Sequence, residues 1–239
     1  MRLDIYISCK QSVGRQRSKE LIEGGKIYVN NKLIVKPSFK VNEDDVVEIK
    51  DEVYKKYVSR GGYKLEKAIE QFNIDFMEKC IIDVGASTGG FTHCAILNGA
   101  RKVYAIDVGK NQLDSSLKNE KVISMEKCNI LDLTINDIGS DFDIIVMDVS
   151  FVSIKKIIPH LRQFLKENGE IVYLIKPQFE AGKAYLNKKG VVKDKKIHEK
   201  IIKDIINLCE SLGFREVDVC QSPITGQEGN IEYLLYGVL

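Results

Sequence analysis

The segment DVGASTGGFT, residues 83–92, joins an apolar run to the helical stretch FTHCAILNGA through Gly85, Gly89 and Gly90. Glycines let a backbone approach a ligand closely, and a helix start offers free N–H groups, so such a turn is a cofactor cradle. The spacing is not GxGxxG and no GK[ST] follows, which argues against the dinucleotide fingerprint and the P-loop. The glycines alone leave nucleotides, dinucleotides and S-adenosylmethionine open. About 20 residues on, Asp107 ends YAID, where doubly wound domains place a carboxylate on ribose hydroxyls. Asp148 in MDVSFVS ends another apolar run, at the sheet edge where ligands bind. Lys176 directly follows IVYLI and precedes Pro177, so it should project from a strand end. Glu232 lies inside the apolar strand IEYLLYGVL, where an unpaired carboxylate is costly, so a buried partner is expected and a lysine would serve.

These residues need a scaffold that brings strand ends together. The runs CIIDVG from 80, KVYAID from 102, VISM from 122, DIIVMD from 143 and EIVYLI from 170 alternate with helical segments. The alternation predicts an α/β fold, a Rossmann-like, doubly wound, mostly parallel sheet with helices on both faces. In DKKIHEKIIKDIINLCESLGF, Ile197, Ile201, Ile205 and Cys209 recur every four residues and Gly213 ends the pattern, giving a long helix with a core-facing stripe. IEYLLYGVL completes the sheet.

Ahead of this comes a small α+β unit, residues 1–50. Leu3, Tyr6 and Ile7 fall on one face of a first helix, and SKELIEGG forms a second that buries Leu21 and Ile22 before Gly24 and Gly25 stop it. KIYVNNKLIV reads as a hairpin about an Asn-Asn pair, and VVEI, 46–49, as a further strand. Residues 1–40 hold nine Lys or Arg against Asp4, Glu20 and Glu23, a local +6 in a chain of net +2. That asymmetry is the footprint of a phosphate-neutralising module, which a solvated basic face also produces. Residues 51–62 read as a linker, and 63–239 as the larger domain.

No run of about 18 apolar residues occurs, and Arg2, Asp4 and Lys10 stand where a signal peptide is apolar, so a cytoplasmic protein without membrane spans is expected. Six scattered cysteines without a CxxC pair, and three dispersed histidines, predict reduced thiols and no protein-bound metal. Oligomeric state is not legible.

RLD at the start, SVGRQRSKELIEGGKIYVNNKLIVKP and NEDD before VVEI resemble an S4 RNA-binding domain. That resemblance nominates Arg15, Arg17, Lys19 and Lys26, on or beside the second helix, as phosphate contacts. YVSRGGYKLEKAI, DVGASTGGFT, IVMDVSFVS, LIKPQFEAG and GNIEYLL, in that order, resemble the TlyA family, which joins an S4 domain to an FtsJ-like methyltransferase domain and also carries a haemolysin label. The resemblance spans nearly the whole chain. It implies S-adenosylmethionine as cofactor and 2'-O-methylation of ribosomal RNA, free or in a subunit, at a cytidine. Large-subunit RNA is the family's common target, and the short flanks of this chain favour that target alone.

FtsJ-like enzymes use a Lys-Asp-Lys-Glu tetrad, which the resemblance places at Lys64, Asp148, Lys176 and Glu232. Lys176 is then the group that deprotonates or polarises the 2'-hydroxyl, its ordinary pKa near 10.4 lowered by burial and a nearby cation. Lys64 supplies positive charge, and the two carboxylates orient lysines and ribose. The resemblance also places Asp83, Gly85, Ala86, Ser87, Thr88, Gly89, Phe91, Asp107 and Asn129 at the cofactor. His93 departs from the pattern, standing where an acidic residue is expected after GGFT. The other classes are a non-catalytic RNA-binding or ribosome-assembly factor, against which the complete tetrad argues, and a membrane-active haemolysin, for which no spanning segment or extended basic amphipathic helix is present.

Overall fold

The computed structural model describes residues 1–10, 15–42, 44–49 and 56–239. They form two compact units, Met1–Lys56 and Tyr57–Leu239.

In the first unit, helices α1 (Leu3–Lys10) and α2 (Arg15–Glu23) share a core with strands β1 (Ile27–Val29), β2 (Lys32–Ile34) and β3 (Val47–Ile49). β1 is central and antiparallel to both neighbours. Leu3, Ile7, Leu21 and Ile22 are buried and Tyr6 is half-buried, the apolar faces expected from the helical spacing, and Ile27 of β1 is buried with them. The turn between β1 and β2 is made by Asn30 and Asn31 at φ 49° and 63°, the left-handed pair that matches the twist of a two-residue hairpin.

The second unit contains α3 (Gly61–Phe72), β4 (Cys80–Val84), α4 (Gly90–Leu97), β5 (Lys102–Asp107), β6 (Val122–Glu126), α5 (Ile135–Ile138), β7 (Phe142–Met147), α6 (Ile158–Leu161), β8 (Leu165–Ile175), α7 (Pro177–Glu180), α8 (Lys195–Ser211), β9 (Arg215–Gln221) and β10 (Tyr233–Val238). Its seven-stranded sheet runs β6-β5-β4-β7-β8-β10-β9. β4 to β8 are parallel, and β10 lies antiparallel between β8 and β9. Alternate residues of the central strands face opposite layers. Ile81, Ile144, Val172 and Leu234 pack towards α3 and α4, while Ile82, Ile145, Tyr173 and Leu235 pack towards α8 and α6. Burial on both faces is why these strands are continuous apolar runs. In α8, Ile201, Ile205 and Cys209 are buried, Ile197 is half-buried, and Gly213 follows at φ 93°.

The structure corrects the sequence reading at three places. Residues 57–62, assigned to a linker, belong to the second unit: Tyr57 is 4% exposed in a core with Leu65, Phe91 and Cys94, and α3 starts at Gly61. β9 was not anticipated, because Arg215, Glu216 and Asp218 give REVDVCQ the composition of a loop; it is a sheet edge, where such charges are tolerated. Glu232 is not inside the last strand but immediately before it, since β10 begins at Tyr233.

The turn after β4 is held between the ends of β5 and β7: the N–H of Gly85 donates to Ile106 O at 2.8 Å, and the N–H of Asp148 donates to Val84 O at 3.0 Å. Gly85 sits at φ 80°, and a Cβ there would lie 2.7 Å from Asp148 O. Gly85→Ala therefore carries about 1–2 kcal/mol for the left-handed backbone plus the cost of moving Asp148. The expected outcome is a lower melting temperature together with at least tenfold slower turnover in the reaction that the resemblance implies; a variant unchanged in both would show that the turn does not set Asp148.

Candidate active site

Parallel strands end on one sheet edge, so β4, β5, β7 and β8 deliver Gly85, Asp107, Asp148 and Lys176 side by side. β10 runs the other way, and its register, Tyr233 opposite Ile175, brings Glu232 to the same edge from its N-terminal side. Lys64 reaches it from the first turn of α3.

The four tetrad residues meet. Lys176 Nζ lies 2.6 Å from Asp148 Oδ1 and donates to Ser150 Oγ at 2.8 Å. Lys64 Nζ lies 3.3 Å from Asp148 Oδ2 and donates to Glu232 Oε2 at 2.7 Å. Asp148 thus bridges two lysines, and the buried partner expected for Glu232 is a lysine. Lys64, Lys176 and Glu232 are 5%, 8% and 3% exposed, so each charge depends on its partners. Burial presses Lys64 towards its neutral form, but the charges of Asp148 and Glu232 outweigh it and hold its pKa above the usual lysine value. Burial likewise opposes ionisation of Asp148, and Lys64 and Lys176 outweigh it, keeping that carboxyl below the usual range. Gly226 lies flat against Glu232, where any side chain would displace the carboxylate.

Two cavities share the floor made by Gly85, Ser87, Asp148 and Ser150. One, about 320 Å³, contains all four tetrad residues together with Ala86, Thr88 and Phe91. The other, about 570 Å³, has Asp107 and Asn129 among apolar Ile106, Val108, Ile130 and Leu131. Asp107 accepts from the N–H of Ser87 at 2.8 Å and of Gly109 at 2.7 Å, which fixes the carboxylate at the cavity wall. The pair of cavities fits a nucleoside with a charged tail: a ribose-binding carboxylate beside an apolar slot, then a glycine turn with open backbone leading to the tetrad. Asp107 and Asn129 would hold such a nucleoside, and Gly85 to Thr88 its charged tail.

Two nominated cofactor residues line neither cavity. Asp83 is 1% exposed beneath the turn and accepts from Thr92 Oγ1 at 2.6 Å, and burial pushes its pKa up to about 7. Gly89, at φ 93°, caps α4 and packs against Leu113 and Leu117. In the first unit, Lys19 is half-buried on α2 and Lys26 is exposed before β1, while the side chains of Arg15 and Arg17 lie outside those described. His93 accepts from the N–H of Val58 through Nδ1 at 3.1 Å, a bond that an acidic residue at that position could also accept.

Several cavity residues carried no role in the sequence reading. Ser59 and Arg60 precede α3, and Ser150, Phe151, Gln178 and Phe179 follow the strand ends. Each lies within one to four residues of a tetrad member, apart from Ser59, which is the signal that could have found them. Phe151 is 87% exposed at φ 64°, an unusual backbone for an aromatic residue, with its ring centroid 5.1 Å from that of Phe179. Among the described residues no cluster of potential metal ligands occurs, and no helix is long and apolar enough to cross a membrane.

Asp83 generates a pH prediction. Its folded pKa, about 7, is above the ordinary value of about 3.9, so its contribution to stability is intact below pH 4 and is lost as pH rises through 7. Asp83→Asn should therefore shrink the fall in melting temperature between pH 5 and pH 8; an identical fall in both proteins would assign the pH dependence elsewhere.

Residues 57–238 match the family described as FtsJ-like methyltransferase, and residues 1–47 match the S4 domain. The chain is 36% identical to the 23S rRNA (cytidine-2'-O)-methyltransferase TlyA of Campylobacter jejuni, covering 99% of this chain and 98% of that one. It is 37% identical to the 16S/23S rRNA (cytidine-2'-O)-methyltransferase TlyA of Mycobacterium tuberculosis, covering 93% and 83%. A solved structure of a haemolysin-named protein from Streptococcus thermophilus superimposes with a TM-score of 0.82 at 37% identity, over 100% of this chain and 88% of that one. With both domain types matched and full-length relatives at this identity, the chain belongs to the TlyA family, and its second unit is an FtsJ-like, S-adenosylmethionine-dependent methyltransferase.

Proposed function

We propose that the protein methylates the 2'-hydroxyl of a cytidine in ribosomal RNA, with large-subunit RNA as its target. The observation that carries the reaction type is the Asp148 carboxylate shared by two buried lysines, with Glu232 closing the cluster beside the glycine turn. The substrate class is supported by the S4 match and by the two relatives, which share 23S rRNA as a named substrate.

S-adenosylmethionine, held at the glycine turn and Asp107, would supply an already activated methyl group. The chain's own residues then align an oxygen and manage its proton. Asp148 and Ser150 engage two of the three N–H positions of Lys176, leaving one direction for the ribose hydroxyl. Lys176 deprotonates or polarises the hydroxyl along that direction. Lys64, kept charged by its two carboxylates, stabilises the developing alkoxide. Asp148, held ionised, orients Lys176 and does not compete for the proton. The exposed ring of Phe151 and the half-buried ring of Phe179 give an unstacked base a surface on which to lie beside Lys176. In the first unit, Lys19 and Lys26, with Arg15 and Arg17, contact RNA phosphates.

The direct test is transfer of labelled methyl from S-adenosylmethionine to separated 30S and 50S subunits that lack the modification. Label is expected on a 50S cytidine ribose, and Lys176→Ala should lower turnover by at least about 100-fold while leaving cofactor binding intact. Near-normal turnover in that variant would remove Lys176 from proton transfer, label on 30S alone would overturn the target, and no label on either subunit would leave an RNA-binding factor. Lys64→Met separates the two lysines: it strands two carboxylates in a buried cluster and should cost about 3 kcal/mol in urea unfolding, whereas Lys176→Ala should cost less. Equal destabilisation by both would contradict the unequal pairing.

A further inference from the structure

From the loop after α7 into the first turn of α8, residues 188–196 read KKGVVKDKK, five lysines in nine residues. All five are exposed, and among the described residues none has a carboxylate within ion-pair distance. The single acid of the segment, Asp194, is occupied as the cap of α8, accepting from the N–H of Lys196 at 2.9 Å. Beyond that cap, the first turn of α8 holds Lys195 and Lys196 and no acidic residue, the sign opposite to the one the helix dipole favours. Like charges crowded at the unfavourable end of a helix oppose local stability, and a polyanion relieves that cost.

The segment is also built and fixed. The N–H of Gly190 donates to Asn187 O at 2.9 Å, and Asn187 Oδ1 accepts from the N–H groups of Lys189 at 2.8 Å and Val191 at 3.0 Å, which sets Lys188 and Lys189 at the tip of a tight turn. Asn230 Nδ2 donates to Gly190 O at 3.3 Å. His198 Nε2 donates to Val192 O at 2.9 Å, and its Nδ1 faces the Tyr233 hydroxyl at 2.9 Å. The chain here thus leads from Gln178 and Phe179, in the wall of the tetrad cavity, to anchors at Asn230 and Tyr233 on either side of Glu232. The positive charge is tied to the same strand end that completes the active site.

Resting on the RNA substrate proposed above, we propose that Lys188, Lys189, Lys193, Lys195 and Lys196 form a second RNA-contacting surface, carried by the catalytic unit, that grips phosphates flanking the target nucleotide. Compact ammonium groups on a fixed turn neutralise phosphates without reading bases, so this surface contributes affinity and placement rather than sequence choice. RNA suits it better than an anionic membrane: Val192 is 3% exposed and Val191 half-buried, so the lysines are not interleaved with apolar side chains that could enter a bilayer.

The test uses the full chain with Lys188, Lys189 and Lys193 changed together to Gln, and a second variant with the same three changed to Arg. In methylation of 50S subunits or their RNA, the Gln variant should raise KM at least tenfold with kcat within about twofold, while S-adenosylmethionine affinity and melting temperature hold. In RNA binding, its plot of log K against log salt should be shallower by about 2, the share of three phosphate contacts. The Arg variant should behave as wild type. An unchanged KM and salt slope in the Gln variant, with the wild type active, overturns the proposal and leaves the methyltransferase reading standing. Loss of binding to phosphatidylserine vesicles with RNA binding unaltered overturns it in favour of a membrane surface. A wild-type protein that neither binds nor methylates RNA removes both readings.

Discussion

Asp148 is the hinge of this molecule. Its two carboxylate oxygens each face a lysine ammonium, Lys176 at 2.6 Å and Lys64 at 3.3 Å, and Glu232 supplies the second negative charge that balances the pair. Four charges this poorly solvated persist only when each has its partner, because removal of any one strands another in a low-dielectric edge. The cluster is therefore at once a constraint on the fold and the chemical core of the site. It also divides the lysines, one held between two carboxylates and fixed in charge, the other sharing one carboxylate with a hydroxyl and keeping a free direction.

The sheet topology exists in the service of that cluster. Parallel strands bring Asp148 and Lys176 to one edge without further device, and α3 adds Lys64. The fourth comes from β10, inserted antiparallel beside β8, so that its beginning rather than its end arrives at the edge with Tyr233 opposite Ile175. A parallel strand at that position would carry Glu232 to the opposite side of the sheet. The glycine turn meets the same requirement from the other direction: Gly85 lets the backbone pass within contact of Asp148, so the turn and the carboxylate share one wall.

The division of the edge into two cavities follows the chemistry of a nucleoside-based methyl donor. One side is mostly apolar with a fixed carboxylate, and the other is polar and charged, with Gly85, Ser87, Asp148 and Ser150 common to both. The exposed ring of Phe151 and the half-buried ring of Phe179 stand in the cavity walls, and the lysine-rich segment after α7 adds positive charge that the proposed RNA substrate would meet.

Sequence by itself determined the class of fold, because strands buried on both faces must be apolar runs and the helices between them must show one apolar stripe. It determined the chemical character of the site as well: a lysine after IVYLI projects from a strand end, a carboxylate in IEYLLYGVL is too costly to leave without a partner, and a glycine turn after a strand implies a ligand. Which partners meet was a tertiary matter. Lys64 and Glu232 are 168 residues apart, and only the reversal of β10 brings them to 2.7 Å. The charged edge strand β9 was invisible for the same reason, since its identity lies in pairing with β10 and not in its own composition. Tyr57 was read as linker because an isolated aromatic among charges carries no period; its burial against Leu65 and Phe91 is decided by residues that the chain reaches only later.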